Sequence, residues 1–481
     1  MDIFNNIKLD KSSNVPLYQQ LAESILNLIE QRELAPDTKL PPIRSLAASL
    51  GVNSVTVVNA YKYLESKKAV YSHVGSGTFV ADPGLNDNKP VTKSLLSRKS
   101  LDSIDTEHCI NFADTSVSVE LFPVSQFKNC FNAVLDRDKG DAFSYSDIDA
   151  MGYKPLRRVI AQKLEDEGIK AFAERIQIIS GAQQGLDIVS KAMLNTGDMV
   201  FTEKPTYYGA LGAIFSRGAQ AVEIPLEYDG INIDILKKLL KVYTPKFIYV
   251  MTRYQTPTGI CYSPQKKREL LELAYKHNFY IIEEDNMGDF NYTDVKPVTL
   301  KALDYRNRVI YIKSFSKILM PGLRIGYMIL PKAVSQAVTS AKYSSDISTS
   351  GFIQRAFELY LQSSEHNSHI NRMCSIFSEK YKLITSLTDE KLIPYFSYNK
   401  TGGGLTLWLK LSDKLPDTRV LCNALTENDV VVMPGNLFTS DDEEIKRHIR
   451  LSFANVTNDN IRDGISIIED VCKQLYTKCK L

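Results

Sequence analysis

Tryptophan occurs once in the 481 residues, histidine six times, and the seven cysteines stand far apart, with no Cys-x-x-Cys pair or Cys/His cluster. Metal-ligand spacing is therefore absent, no metal site is expected, and an odd, scattered cysteine set predicts reduced thiols rather than a disulfide framework. An excess of charge of one sign is also missing. The 58 Lys and Arg face 56 Asp and Glu, a net charge of +2, so no global field draws the chain to nucleic acid or a membrane surface. No run of about 18 apolar residues occurs, and the opening MDIFNNIKLD lacks the basic-then-apolar order of a secretory leader. The expectation is a cytoplasmic protein with no membrane partner. What is present is ordinary globular composition, 44% hydrophobic and 24% charged, at a length that calls for more than one core.

The first 81 residues read as one small unit. Leu17, Leu21, Ile25 and Leu28 recur at helical spacing, and Ala35-Pro36-Asp37 and Pro41-Pro42 break the pattern. A short helix with Leu46, Ala47 and Leu50 then stops at Gly51. Asn53 or Ser54 can cap a third helix whose inward residues are Val57, Ala60, Tyr61 and Leu64. Two short helices joined by a glycine turn predict helix-turn-helix geometry. AVYSHVGSGTFVAD reads as two strands around Gly75-Ser76-Gly77, a hairpin wing. The series from PLYQQLAESILNLIEQ to GSGTFV resembles the winged helix-turn-helix of the GntR class of bacterial regulators, across nearly all of residues 14–81. The resemblance implies promoter DNA as partner, with Arg44, Ser54, Thr56, Asn59, His73 and Gly75 as contact candidates. Residues 1–81 carry eight Lys and Arg against seven Asp and Glu, so one copy should bind weakly and dimerisation should supply affinity.

Residues 82–108 are rich in Pro, Asn, Asp, Lys and Ser and read as a linker. From Cys109 to the end, RIQIIS, DMVFTE, QAVEIP, KFIYVM, FYIIEE and RVIYIK alternate with helical patterns, which predicts a mainly parallel sheet in an α/β unit over 109–481. Ligands in such sheets sit beyond the carboxyl ends of the strands. There stand a Gly181-x-x-x-Gly185 helix start suited to a phosphate, the aromatic Tyr207, the acidic pair Glu284-Asp285, and Lys317 beside Ser314 with Arg324 downstream. A phosphate anchor, a ring stacker, a partner for a ring nitrogen and an amine nucleophile are together the needs of pyridoxal 5'-phosphate.

SGAQQGLDIV, EKPTYYGA, QTPTGICYSP, IIEEDNMGDF, SFSKILMPGLRIGYM, VVMPGNLF and IRLSFAN resemble fold-type-I aminotransferases, and the pairing with a GntR-like domain is that of the MocR/GabR regulators. The resemblance implies that Lys317 forms the Schiff base with the cofactor, that Tyr207 stacks on the ring, and that Ala182, Gln183, Ser314 and Arg324 hold the phosphate. Glu284 or Asp285 faces the ring nitrogen, and the alternatives stay open. Tyr145 would reach the partner subunit's cofactor phosphate in a homodimer with shared sites, and Arg450 would clamp an effector carboxylate. Thr256 stands where aminotransferases place asparagine, and Asn286 or Met287 where Tyr is frequent, which disfavours fast turnover. The reading is a regulator that senses pyridoxal phosphate or an amino compound and is more a sensor than an enzyme; the alternative is an active aminotransferase with an appended DNA-binding domain.

Overall fold

The computed structural model describes residues 2–5, 7–13, 15–67, 69–73, 77–81, 108–144, 148–439 and 445–478. Two compact units form, one of Met1–Lys89 with Asp234–Thr244 and the other of Pro90–Ile233 with Pro245–Leu481.

In the first unit a four-residue helix at Asp2–Asn5 and three longer ones, α1 (Leu17–Glu30), α2 (Ile43–Leu50) and α3 (Ser54–Ser66), precede a hairpin of β1 (Val70–His73) and β2 (Gly77–Val80). Leu21, Ile25, Leu46, Val57, Leu64 and Val80 are buried together, so the apolar spacing read from the sequence becomes a single core. Gly51 ends α2 at φ +60, a left-handed position that glycine adopts without strain. Asn53 then caps α3, its side chain accepting from the Val55 N–H at 2.9 Å, which decides between Asn53 and Ser54 as the cap. The wing strands pair antiparallel from Val70↔Val80 to His73↔Gly77.

The second unit is built on an eight-stranded sheet. Its strands are β3 (Ile176–Ile179), β4 (Met199–Lys204), β5 (Gln220–Glu227), β6 (Gly230–Ile231), β7 (Phe247–Val250), β8 (Tyr280–Glu284), β9 (Val309–Ser314) and β10 (Gly326–Ile329), in the spatial order β3-β10-β9-β8-β7-β4-β5-β6. β9, β8, β7, β4 and β5 run parallel, as expected of near-continuous apolar runs buried on both faces. β10 is an antiparallel insertion between β3 and β9 that the sequence reading did not contain. One face packs Ile282, Ile310, Ile312 and Met328 against α4 (Ala182–Met193) and α5 (Lys332–Asp346), through residues such as Leu186, Val189 and Val338. The other face joins a larger core with Tyr311 and Tyr327, shared with a second, antiparallel sheet. That sheet has the order β11 (Phe396–Tyr398), β12 (Thr406–Leu411), β14 (His448–Ser452), β13 (Met433–Pro434). Among the described residues no helix is long and apolar enough to cross a membrane.

Candidate functional site

Lys317 lies just beyond the carboxyl end of β9, where the strand turns at Ser314. Its Nζ donates to the Thr115 carbonyl at 3.0 Å and to Thr115 Oγ1 at 2.6 Å. Burial, and next the positive charge of Arg450, hold the amine down to about 8, while Asp114 and Glu284 pull in the other direction. Arg450, on β14, is buried; its Nη2 donates to the Ala113 carbonyl at 2.5 Å and its guanidinium lies 5.3 Å from the Phe438 ring centre. The segment 113–115 therefore engages both cations. Sequence reasoning passed over Asp114 and Thr115; the polar stretch Asp114-Thr115-Ser116 was the available signal, and 202 positions separate Thr115 from its partner.

Successive residues of a strand face opposite sides, and this separates the two acids at the end of β8. Glu284 accepts from Tyr249 Oη at 2.7 Å and from the Asn286 amide. Burial pushes its carboxyl up to about 7. Asp285 turns the other way. It pairs with Arg253, accepts from Tyr311 Oη at 2.5 Å and has Lys313 Nζ at 3.7 Å. Burial alone would raise Asp285, but the Arg253 and Lys313 charges outweigh it and hold the acid below the ordinary carboxylate range. Lys317 is thus brought together with Glu284 and Arg450, and Asp285 belongs to a separate ion network.

Gly181 opens α4 at φ +102, with no side chain capping the helix. A Cβ at Gly181 would fall 2.7 Å from Arg324 Nη2, and that nitrogen donates to the Ser180 carbonyl at 2.6 Å. Ala182 and Gln183 form the first turn. Gln183 Nε2 donates to the Gly209 carbonyl at 2.9 Å, and Tyr207 Oη donates to Gln183 Oε1 at 3.2 Å. Ser314 Oγ donates to Ser316 Oγ at 2.9 Å. Among the described residues Thr206 Oγ1 and Asn286 Oδ1 are buried without a hydrogen-bond partner.

In the first unit Arg44 is exposed in the first turn of α2, Ser54 and Asn59 are exposed on α3, and Thr56 is half-buried. Val55, absent from the sequence candidates, is 60% exposed at the start of α3. His73 ends β1. Gly75 and Tyr145 lie outside the described residues.

A parallel sheet with a lysine, an acid and an uncapped glycine-opened helix at its strand ends, in a chain that also carries a winged helix, defines a class of protein. The pattern "Aminotransferase class I and II" matches residues 116–468 and "Bacterial regulatory proteins, gntR family" matches residues 17–80. The chain belongs to the class I and II aminotransferase family, and it joins this to a gntR-type regulatory domain in the MocR-type arrangement. It is 26% identical to the uncharacterized HTH-type transcriptional regulator YisV of Bacillus subtilis, over 97% of this chain and 98% of that protein. It is 25% identical to the "Probable rhizopine catabolism regulatory protein MocR" of Rhizobium meliloti, over 95% and 94%. An aromatic-amino-acid aminotransferase of Thermococcus litoralis is 28% identical over 79% of this chain and 92% of its own. Among solved structures, the multiple substrate aminotransferase of Thermococcus profundus superposes with a TM-score of 0.75 at 27% identity, covering 81% of this chain and 97% of that one.

The residues present fit pyridoxal phosphate. An uncapped helix start beside Arg324, with no room for a Cβ, suits a phosphate ester. Lys317, with its lowered basicity, suits an aldehyde. The orphaned Thr206 and Asn286 oxygens beside Tyr207 and Glu284 are polar groups that a bound polar molecule would satisfy.

Proposed function

We propose that this protein is a pyridoxal-phosphate-dependent transcription regulator that binds promoter DNA through residues 17–80 and senses an amino compound, or the cofactor itself, through the aminotransferase-like unit. One observation carries the reading: in a chain that bears a winged helix, Lys317 stands at the carboxyl end of the parallel sheet, held by Thr115 and with its amine lowered to about 8 by burial and Arg450. When bound, pyridoxal phosphate supplies an aldehyde carbon open to attack by a primary amine. The chain's own residues do the rest. Arg324 and the N–H groups of Ala182 and Gln183 would hold the phosphate, Ser314 would supplement them, and Tyr207 would supply the ring for stacking. Glu284 keeps a proton on the ring nitrogen, whereas Asp285 is already committed to Arg253. Lys317, whose amine gives up its proton easily, is the residue that would hold the cofactor's aldehyde. Arg450 receives the carboxylate of an incoming amino acid by a forked pair of hydrogen bonds.

On the DNA side, Ser54, Thr56 and Asn59 of α3 would read base edges in the major groove. Val55 offers a methyl contact to thymine, and Arg44 with the wing residues His73 and Gly75 holds phosphates. Because this domain is nearly neutral, a homodimer would present two copies to two half-sites, and Tyr145 would complete the partner's cofactor site. Effector binding then shifts the population of DNA-competent dimers in the cytoplasm.

The test is the visible spectrum of the cofactor-loaded protein during addition of primary amines and amino acids, with parallel operator binding. A band that shifts with one compound, and a changed affinity for DNA without 2-oxo acid formation, supports the sensor. Repeated conversion of the amino acid into a 2-oxo acid, with DNA binding unmoved, makes the protein an aminotransferase instead.

A further inference from the structure

At the opposite end of the eight-stranded sheet from Lys317 lies a cavity of about 470 Å³. The strand starts β3, β8 and β9, the end of β10 and the first turn of α5 surround it. Six cations line it: Lys170, Arg175, Lys301, Arg306, Arg308 and Lys332. No acidic side chain is found among the described residues that line it. Lys301 is neutralised by Asp304, at 3.1 Å. The other five form no ion pair with any described residue. Arg308 lies 5.1 Å from the Tyr280 ring centre and donates to the Asn278 side chain, and Arg306 sits 5.2 Å from the rings of both Tyr275 and Tyr305. These contacts orient the guanidinium groups without cancelling their charge.

Like charges converging on a recess repel one another, and a bound polyanion relieves that repulsion. The α5 helix begins at the cavity wall with Pro331 as an N-cap that offers no side-chain acceptor, and its first residues Lys332 and Ala333 line the cavity. A helix start of this kind adds a favourable field for phosphate. The rim also carries Phe172, which is 74% exposed and offers a flat aromatic face to a ring. Converging cations, an open aromatic face and a volume in the range of small-molecule sites select one ligand class. A duplex backbone is bound through flat or ridged basic surfaces rather than a recess floored by Ile329 and Leu330.

We propose that this cavity is a binding site for a nucleoside polyphosphate, with the phosphates among Arg175, Arg308, Lys332 and Lys170 and the base against Phe172. The site is distinct from the cofactor cradle, which stands at the other end of the strands.

The experiment is calorimetric titration of ATP and of pyrophosphate into the full chain saturated with pyridoxal phosphate, at two salt concentrations. ATP should bind in a salt-sensitive manner, pyrophosphate should compete, and Lys170→Glu/Lys332→Glu should weaken ATP binding at least about tenfold with the cofactor spectrum unchanged. If that variant misfolds by circular dichroism, Lys332→Gln and Phe172→Ala each replace it, and either should weaken ATP several-fold. Failure of both ligands to bind the intact protein overturns the proposal. So does ATP binding indifferent to these substitutions. If the charge reversal leaves ATP unaffected but weakens binding of duplex DNA of random sequence, the face contacts nucleic acid and the proposal is wrong.

Discussion

Tyr249 on β7 and Glu284 on β8 are joined across adjacent parallel strands by a hydrogen bond of 2.7 Å, the phenol donating to the carboxyl. Burial places both groups out of water, so the carboxyl rests at about 7 and is poised between its two protonation states. A cationic ring nitrogen would draw it to the charged form, and in that form Tyr249 and Asn286 both have an anion to serve. The acid needed at the ring is thus the one that is costly to hold without the cofactor.

That cost gives a prediction for Glu284→Gln. A carboxyl raised from 4.5 to about 7 in the folded state withdraws stability as pH climbs through that window, because the unfolded chain ionises first. The neutral amide escapes this, and Asn286 can turn its unsatisfied Oδ1 to accept from it. Cofactor-free Glu284→Gln should therefore be more stable than the parent at pH 8, by up to about 3 kcal/mol, and no different near pH 4.5. The cofactor-loaded variant should lose affinity. Thermal melts at the two pH values, with and without cofactor, check this; equal gains at both would remove the titration from the account.

Capture of the cofactor should follow the Lys317 amine. Held down to about 8, chiefly by burial, it is charged and unreactive at low pH and free to attack above it. The rate at which cofactor-free protein takes up pyridoxal phosphate should rise roughly tenfold per pH unit below 8 and level off above it, instead of climbing toward the ordinary lysine value. Stopped-flow absorbance reads this directly. Lys317→Ala should leave no cofactor fixed by borohydride while operator binding persists, and label on another lysine would reassign the bond.

The parallel core was legible because its strands are buried on both faces and so appear as apolar runs, Phe247–Val250 and residues 309–312 among them. Gly326–Ile329 escaped because its four residues follow directly on the loop carrying Arg324, and nothing local marks a strand that runs antiparallel between two others. Glu284 and Asp285 could not be told apart for a similar reason. Alternation puts them on opposite faces, but which face is which depends on Arg253 and Tyr249, residues that read as ordinary strand-end and core positions. Thr115 and the cations around Arg175 and Lys332 come from segments far apart in sequence, so folding alone brings them together.

Arg44→Ala should lower operator affinity about tenfold and reduce the salt dependence by roughly one counterion, since one exposed phosphate contact is removed. The Arg44 side chain is exposed on α2 and contributes nothing to the core of Leu21, Leu46 and Leu64, so melting should not change. Fluorescence anisotropy on DNA selected from a random pool, at three salt concentrations, measures both. An unchanged slope would place Arg44 away from the phosphates.

Trp408 provides the last test, because it is the only tryptophan and pairs in register with Arg450. Its ring stacks on His448 at 5.0 Å and stands edge-on to Phe438 at 5.7 Å, and the Arg450 guanidinium lies over that same Phe438 ring. A carboxylate drawn to Arg450 must shift the guanidinium relative to Phe438 and so change the surroundings of the indole. Amino acids that perturb the cofactor spectrum should therefore also change Trp408 emission, whereas amines lacking a carboxylate should change the spectrum alone. Arg450→Ala should abolish the emission response and weaken amino-acid binding about a hundredfold, the loss expected when a buried forked hydrogen-bond pair to a carboxylate is removed. An emission change that persists in Arg450→Ala would mean that the carboxylate is received elsewhere.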